Sequence, residues 1–213
     1  LAVDGRYAGA VVIGDELRPD AAEAVRGLKH LGIRRAVMLT GDTKAAGQAV
    51  AARLGLDEVH TELLPADKVA QVERLLEQKT AAGTLAFVGD GINDAPVLMR
   101  ADVGLAMGGL GSDAAIEAAD VVLMQDEPSK LPLAIRIARR TMRIARQNIV
   151  FAIGVKLAVM LFGVLGYASL WAAVFADVGV AFLAILNAMR AMYVVIPNDA
   201  AAGIPAASGE TAL

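Results

Sequence analysis

The chain has 213 residues, of which 56% are apolar and 20% charged, and this composition excludes an intrinsically disordered chain. Its net charge of −3 argues against nucleic acid as a partner, and the absence of cysteine excludes disulfides, thiolate metal sites and a cysteine nucleophile. Because the chain starts with Leu and shows no signal segment, we expect one or two domains from a longer protein.

Alternating strands and helices are predicted over residues 1–127. Short apolar runs of the length of buried parallel strands occur at 9–13, 35–39, 85–88, 103–107 and 121–124. One helix is predicted at 20–31, with Gly32 directly after its last residue, and another at 65–79, with Pro65 as its first residue. The alternation indicates an α/β domain with a mainly parallel sheet, in which ligands bind beyond the carboxyl ends of the strands.

Polar turns follow two of these apolar runs. Thr-Gly-Asp occupies 40–42, and Gly-Asp-Gly-Ile-Asn-Asp occupies 89–94. Glycine lets such a turn approach a ligand closely, and its amides can hold phosphate oxygens. Lys68 supplies a compact positive charge, while Asp90 and Asp94 are oxygen ligands of the kind that Mg²⁺ prefers. Each turn alone is commonly an ordinary loop, but their order along the chain predicts a phosphate site.

A basic amphipathic connector is predicted at 128–147. Six basic side chains lie in it: Lys130, Arg136, Arg139, Arg140, Arg143 and Arg146. Anionic lipid headgroups could bind this segment, but a solvated amphipathic helix explains the pattern equally well.

Two transmembrane helices are predicted at 148–196, because only five of the 43 charged residues follow residue 147. A break at 166–169 divides the stretch into spans at 148–165 and 170–196, each long enough to cross about 30 Å of hydrocarbon. A single span at 157–176 and a buried helical pair in a soluble core are the alternatives.

The distribution of basic residues predicts the orientation of this hairpin. The connector precedes the first span and Arg190 lies near the end of the second, whereas the turn has no Lys or Arg. Both ends of the hairpin and the soluble domain are therefore expected in the cytoplasm. Residues 197–213, rich in Ala with Gly, Pro and Ser, are predicted to form a flexible tail.

Two charged residues fall inside the predicted spans. Lys156 lies about ten residues before the turn and Asp177 about eight after it, so both are expected near the bilayer midplane and near each other. Such residues are costly in hydrocarbon and point to function. We expect Asp177 to ligate a transported cation, with Lys156 as its counter-charge. The alternative is a structural ion pair that joins the helices.

Three motifs resemble the later motifs of the phosphorylation domain of P-type ATPases, which has the haloacid dehalogenase-like fold. They are Met-Leu-Thr-Gly-Asp at 38–42, Pro-Ala-Asp-Lys at 65–68 and Val-Gly-Asp-Gly-Ile-Asn-Asp-Ala-Pro at 88–96. Asp-Glu-Leu-Arg-Pro at 15–19 is similar to a further element of that domain. The resemblance covers nearly the whole chain, since the family also ends with a pair of membrane helices.

The resemblance implies roles in phosphoryl transfer from ATP. It assigns phosphate binding to four residues and Mg²⁺ binding to two, namely Thr40, Gly41, Lys68 and Asn93 for the phosphoryl group and Asp90 and Asp94 for the metal. Of these, Thr40, Lys68 and Asp90 are implied to take part in catalysis.

The family's nucleophile, the Asp of Asp-Lys-Thr-Gly-Thr, does not occur in the chain. Neither Asp4 nor Asp15 is followed by Thr-Gly-Thr, and an aspartyl-phosphate cannot form without the nucleophile. This chain alone is therefore expected to be inactive and to need upstream pump domains, including the one that binds ATP. Thr43, where many members have Asn, is a minor departure.

Lys156 and Asp177-Val178-Gly179 resemble the zinc-, cadmium- and lead-exporting P-type ATPases. Copper pumps carry Tyr-Asn and a Met with paired Ser in these helices, and a carboxylate suits a divalent ion better than copper(I). The resemblance implies part of an exporter of Zn²⁺, Cd²⁺ or Pb²⁺, and the Ala- and Gly-rich composition favours a bacterial plasma (inner) membrane. Another cation pump, for copper or potassium, is an alternative. So is a non-catalytic membrane-bound regulator or a soluble phosphatase of the same fold, although the Asp-x-Asp of a phosphatase is lacking.

Overall fold

The computed structural model describes residues 2–3, 6–7, 16–89, 94–108, 113–167 and 169–192. Two compact units divide the chain, Leu1–Pro132 and Leu133–Leu213. The predicted strand at 9–13, Asp90, Asn93 and the predicted tail lie outside the described residues. The domain boundaries at 127, 147 and 196 remain predictions.

Short strands alternate with helices in the first unit, as the apolar runs predict. Its strands are β1 (Ala2–Val3), β2 (Arg6–Tyr7), β3 (Val37–Leu39), β4 (Glu58–His60), β5 (Ala86–Gly89), β6 (Val103–Met107) and β7 (Val121–Leu123). Its helices are α1 (Ala21–His30), α2 (Lys44–Leu54), α3 (Pro65–Gln78), α4 (Ala95–Arg100) and α5 (Asp113–Ala118).

The longer strands pair in parallel throughout the described part of this unit. β3 pairs with β4, with Met38 opposite Val59, and β5, β6 and β7 form a second sheet in that order. The parallel pairing is confirmed, but the described strands form two parallel sheets where one was expected. A two-residue antiparallel pair, β1 and β2, is separate.

Two predictions about the strands are corrected by the structure. β4 was missed because Glu58-Val59-His60 has a single apolar residue between two polar ones, so it lacks the run that marks a buried strand. The strand predicted from residue 35 begins at Val37, because the Arg35 side chain binds Glu58 and the Ala36 amide donates to Asp57 at 2.7 Å.

Helix α3 shows how local sequence positions a polar residue at the sheet edge. Pro65 opens the helix, where its missing N–H costs nothing, and the Leu64 amide donates to the Asp67 carboxylate at 3.0 Å. Val72 on the apolar stripe is 1% exposed and anchors the helix to the core. Lys68 therefore projects from the first turn of a helix whose start is fixed.

The second unit consists of long apolar helices. The helix α6 runs without interruption over Lys130–Val164, so the predicted connector and first span belong to one helix. After Gly166, which has φ of 78°, the chain continues as α7 (Leu170–Val174), a π-helical turn (Phe175–Gly179), α8 (Val180–Ala188) and a final 3₁₀ turn (Met189–Ala191).

Two stretches of the described chain are long and apolar enough to cross a membrane, Lys130–Val164 and Leu170–Ala191. Their most apolar segments are almost wholly exposed within this chain, which disagrees with a helical pair buried in a soluble core. The break between them falls where the glycine-containing turn predicted it.

We predict that acid destabilises the first unit through carboxylates at its strand ends. The Leu85 amide and the Lys79 ammonium hold the pKa of Asp102 below its ordinary 3.8, and the Arg35 guanidinium holds that of Glu58 below 4.5. Because these carboxylates have lower pKa values in the folded chain, the unfolded chain takes up their protons at higher pH. The free energy of unfolding therefore falls as the pH drops below about 4.5 and continues to fall until the pH has passed the pKa values of the folded chain.

Thermal unfolding of the chain in detergent, followed by circular dichroism, measures this dependence. Asp102→Asn should make the unfolding temperature at neutral pH lower and its acid dependence weaker, because the replaced carboxylate no longer contributes. Glu77→Gln, at an exposed position of α3, is the control. Equal acid sensitivity of Asp102→Asn and the parent chain would contradict the assignment.

Candidate functional site

The turn after β3 is fixed by its own side chains. The Thr40 hydroxyl donates to the Asp42 carboxylate at 2.7 Å, and the Asp42 amide donates back to that hydroxyl oxygen at 3.1 Å. The Thr40 amide continues the pairing with β4 by donating to the His60 carbonyl at 2.9 Å. Thr40 is thereby held at the carboxyl end of β3 with its hydroxyl in an exposed turn.

A loop after β4 joins this turn to α3. The Leu63 amide donates to the Thr40 carbonyl at 3.1 Å, and the Glu62 amide donates to the Asp42 carbonyl at 2.9 Å. A Cβ on Gly41 would lie 3.2 Å from the Leu63 carbonyl, so glycine permits this close approach. The loop leads directly into the first turn of α3, which carries Lys68.

Lys68 in turn contacts the second polar motif. Its ammonium lies 2.9 Å from the Asp94 carboxylate, and the two side chains are 20% and 13% exposed. A Cβ on Gly89 would lie 2.9 Å from the Asp94 Cβ, so the glycine at the end of β5 makes room for this carboxylate. Backbone hydrogen bonds thus join the turn at Thr40 and Gly41 to the loop before α3, and the ion pair joins Lys68 of α3 to Asp94.

The remaining predicted residues of this motif, Asp90 and Asn93, lie outside the described residues. In the ranges that are described, no group of three or more acidic or histidine side chains is arranged to hold a metal. Of the residues predicted for this site, the described ones supply a hydroxyl, an ammonium and a carboxylate, and the ammonium is the group that can neutralise phosphoryl oxygens.

One residue of the site was not found from the sequence. Gly47 of α2 is buried, and a Cβ there would overlap the Thr61 methyl and lie 3.4 Å from that of Thr40. The glycine lets α2 pack directly on the Thr40 turn. A glycine in the middle of a helical pattern was the available signal, since it is unfavourable there without a packing reason.

Lys156 and Asp177 lie together in the second unit. The Lys156 ammonium donates to the Asp177 carboxylate at 3.0 Å, and the side chains are 58% and 74% exposed within this chain. Asp177 belongs to the π-helical turn, a feature that often marks functional sites. A Cβ on Gly179 would lie within 3 Å of the Phe175 ring, so glycine allows the ring to pack across this wide turn.

The chain is similar to known proteins over both regions. A sequence profile of haloacid dehalogenase-like hydrolases matches residues 1–102. The chain is 62% identical over 192 residues to a cadmium, zinc and cobalt-transporting ATPase of Bacillus subtilis (strain 168), covering 90% of this chain and 27% of that protein. It is 60% identical over 190 residues to a zinc-transporting ATPase of Synechocystis sp. (strain ATCC 27184 / PCC 6803 / Kazusa), covering 89% and 26%.

A solved structure of a zinc-transporting PIB-type ATPase in the E2.Pi state matches with a TM-score of 0.77 at 44% identity, over 84% of this chain and 28% of that one. The first unit thus has the haloacid dehalogenase-like fold that its motifs predicted. Over most of its length the chain is thus similar to zinc- and cadmium-transporting ATPases, including one of the PIB type. It spans about a quarter of the length of the curated relatives that it matches.

We predict that Gly47→Ala destabilises the chain although alanine favours helix by about 1 kcal/mol over glycine. The added methyl overlaps Thr61, and overpacking of this kind costs about 1–3 kcal/mol. Chemical denaturation in detergent measures the change. Gln48→Ala, at the exposed neighbouring position of α2, should leave stability unchanged, and a stabilised Gly47→Ala would refute the close packing.

Proposed function

We propose that this chain is part of an ATP-driven exporter of Zn²⁺, Cd²⁺ or Pb²⁺ that works through an aspartyl-phosphate intermediate. The observation that carries the proposal is the Lys156–Asp177 contact between two apolar helices, in a chain that also holds the Lys68–Asp94 site. The names of its relatives, which include zinc- and cadmium-transporting ATPases, support the same reading.

In the cytoplasmic site, Thr40 and Lys68 bind the phosphoryl group during its transfer. The Gly41 turn leaves room for phosphate oxygens, and the ammonium neutralises their charge. Asp94 holds Lys68 in place before the phosphoryl group arrives, since the two side chains are already in contact. Asn93 adds a phosphate contact. The aspartate that accepts the phosphoryl group belongs to the part of the pump that lies outside this sequence, as does the nucleotide site.

Mg²⁺ fits the donors that this site offers. The Asp94 carboxylate is a hard oxygen ligand, and Asp90 would be another; Mg²⁺ commonly takes one or two carboxylates and completes its shell with water and phosphate oxygens. When bound with ATP, the ion neutralises charge on the transferred phosphoryl group. The chain's own contribution is to hold these carboxylates beside Lys68.

In the membrane, Asp177 is the ligand of the transported ion. With the site empty, the Lys156 ammonium satisfies the carboxylate, which would otherwise be a costly unpaired charge in hydrocarbon. An arriving divalent cation competes with the ammonium for the same oxygens. A carboxylate ligand favours a borderline or hard divalent ion over copper(I), which selects sulfur.

The membrane topology follows from charge. The basic residues at the start of α6 and Arg190 at the other end of the hairpin stay on the cytoplasmic side, so both ends of the hairpin face the cytoplasm. The host membrane is a bacterial plasma membrane, in keeping with the bacterial sources of the relatives.

We predict that Asp177→Ala in the complete pump abolishes stimulation of ATP hydrolysis by Zn²⁺ and Cd²⁺, because the ion loses its carboxylate ligand. ATP hydrolysis by purified pump in lipid, titrated with each metal, is the measurement. Labelling of the enzyme by inorganic phosphate should persist, since it uses the cytoplasmic site. If Zn²⁺ still stimulates the Asp177→Ala pump as it does the parent, the transport-site assignment is refuted. If copper(I) alone stimulates the parent pump, the protein is a copper pump.

We predict that Lys68→Ala lowers phosphoenzyme formation by roughly 10²-fold with every metal, the order of loss seen when one preorganised charge-stabilising donor is removed. Radiolabelling from ATP, with metal in excess, measures the effect. Lys44→Ala, at an exposed position at the start of α2, is the matched control. Normal labelling of a folded Lys68→Ala enzyme would refute a phosphate role for this lysine.

A further inference from the structure

Two asparagine side chains join α6 to α8. Asn148 donates through its Nδ2 atom to the Ala184 carbonyl at 3.0 Å, and Asn187 donates through its Nδ2 atom to the Asn148 Oδ1 atom at 2.8 Å. Both side chains are half-buried, whereas most side chains of these helices are exposed within this chain. We call this pair the asparagine clamp.

Further hydrogen bonds connect the asparagine clamp to Arg190, near the end of the second apolar stretch. Arg190 donates to the Asn187 Oδ1 atom at 3.0 Å, and Arg140 donates to the Arg190 carbonyl at 2.9 Å. The Asn187 amide is therefore used on both sides, as donor to α6 and as acceptor within its own helix.

The clamp and the Lys156–Asp177 pair report the same antiparallel register. Asn148 precedes Lys156 by eight residues on α6, which is roughly 12 Å along the helix axis. On the other helix, Asn187 follows Asp177 by ten residues. Both contacts hold only when the helices lie at one axial position relative to each other.

Apolar contacts alone would fix this position poorly. Ile144, Ala176 and Val180 are the buried apolar residues in the described part of this unit; apolar packing has no directional preference, and in lipid the hydrophobic effect does not favour one axial position. The π-helical turn at Asp177 also departs from the regular helical spacing on that side. Directional hydrogen bonds from a polar side chain at a helix contact specify register.

We propose that Asn148 and Asn187 are positioning residues for the cation site, which fix the register of α8 on α6 and thereby the distance between Lys156 and Asp177. This rests on the proposed transport role of that pair. A slip by one residue moves a side chain by about 1.5 Å along the axis, enough to separate the Lys156 ammonium from the carboxylate and to alter the ion's ligand distance.

The absence of cysteine from the chain makes the register measurable with spin labels. Nitroxides on cysteines introduced at Met142 and Val178, which are 69% and 64% exposed, are separated mainly along the helix axis. Their distance distribution is measured by pulsed electron resonance on the whole chain in nanodiscs. Asn148→Leu keeps the size of the side chain and removes its hydrogen bonds, and Asn187→Leu tests the partner. Gln147→Leu, at the exposed neighbouring position, is the control.

The expected result is a distance shifted or broadened by at least about 1.5 Å, one helical residue, in both asparagine variants and unchanged in the control. Variants that keep the parent distance with intact helical content would overturn the proposal. If both variants lose helical content, the complete pump gives the answer. A rise of about tenfold or more in the Zn²⁺ concentration for half-maximal ATP hydrolysis, with the maximal rate kept, supports positioning. A lower maximal rate with unchanged Zn²⁺ dependence refutes it.

These outcomes separate the two proposals. A shift in the spin-label distance depends only on the contact between the helices. It would therefore still support a register role for the asparagines if Asp177→Ala left Zn²⁺ stimulation intact, a result that would refute the transport site. If the spin-label distance is unchanged in the asparagine variants and Asp177→Ala loses Zn²⁺ stimulation, the transport site is supported and the positioning role of the two asparagines is refuted.

Discussion

The contact between Lys68 and Asp94 is the interaction on which the candidate site of the first unit depends. The described strands form two separate parallel sheets, and this ion pair links the helix that follows β4 to the turn that follows β5. Each of the two turns next to this ion pair contains a glycine, Gly41 in one and Gly89 in the other. At both positions a neighbouring residue lies too close to leave room for a side chain. A positive charge is in this way held among turns contributed by both sheets.

The same chemical arrangement recurs in the apolar helices under different conditions. Lys68 and Asp94 are partly buried in the first unit, with side chains 20% and 13% exposed. Lys156 and Asp177 are mostly exposed within this chain and lie on two stretches apolar enough to cross a membrane, and in hydrocarbon neither charge is easily left alone. In both places a lysine ammonium satisfies a carboxylate.

Sequence patterns predicted those elements that have one strong local cause. The apolar run at 103–107 coincides with β6, and Pro65 marks the start of α3. β4 was missed because a half-buried strand of three residues has no run to detect. The π-helical turn at Asp177 differs from an α-helix by a single hydrogen-bond spacing, which composition does not record. The contact between Asn148 and Asn187 depends on which faces of two distant helices meet, and no spacing within either helix predicts that.

The unbroken length of α6 has a mechanical consequence. Its 35 residues run from Lys130 to Val164, with no proline after Pro132 and no glycine before Gly154, so nothing in the first 24 residues provides a hinge. Its first turn is anchored to α1, where Gly27 leaves room for Pro132, and the Ser129 amide donates to Asp20 at 2.8 Å. The anchored first turn and the predicted first span therefore belong to one helix, which can bend only gently before Gly154.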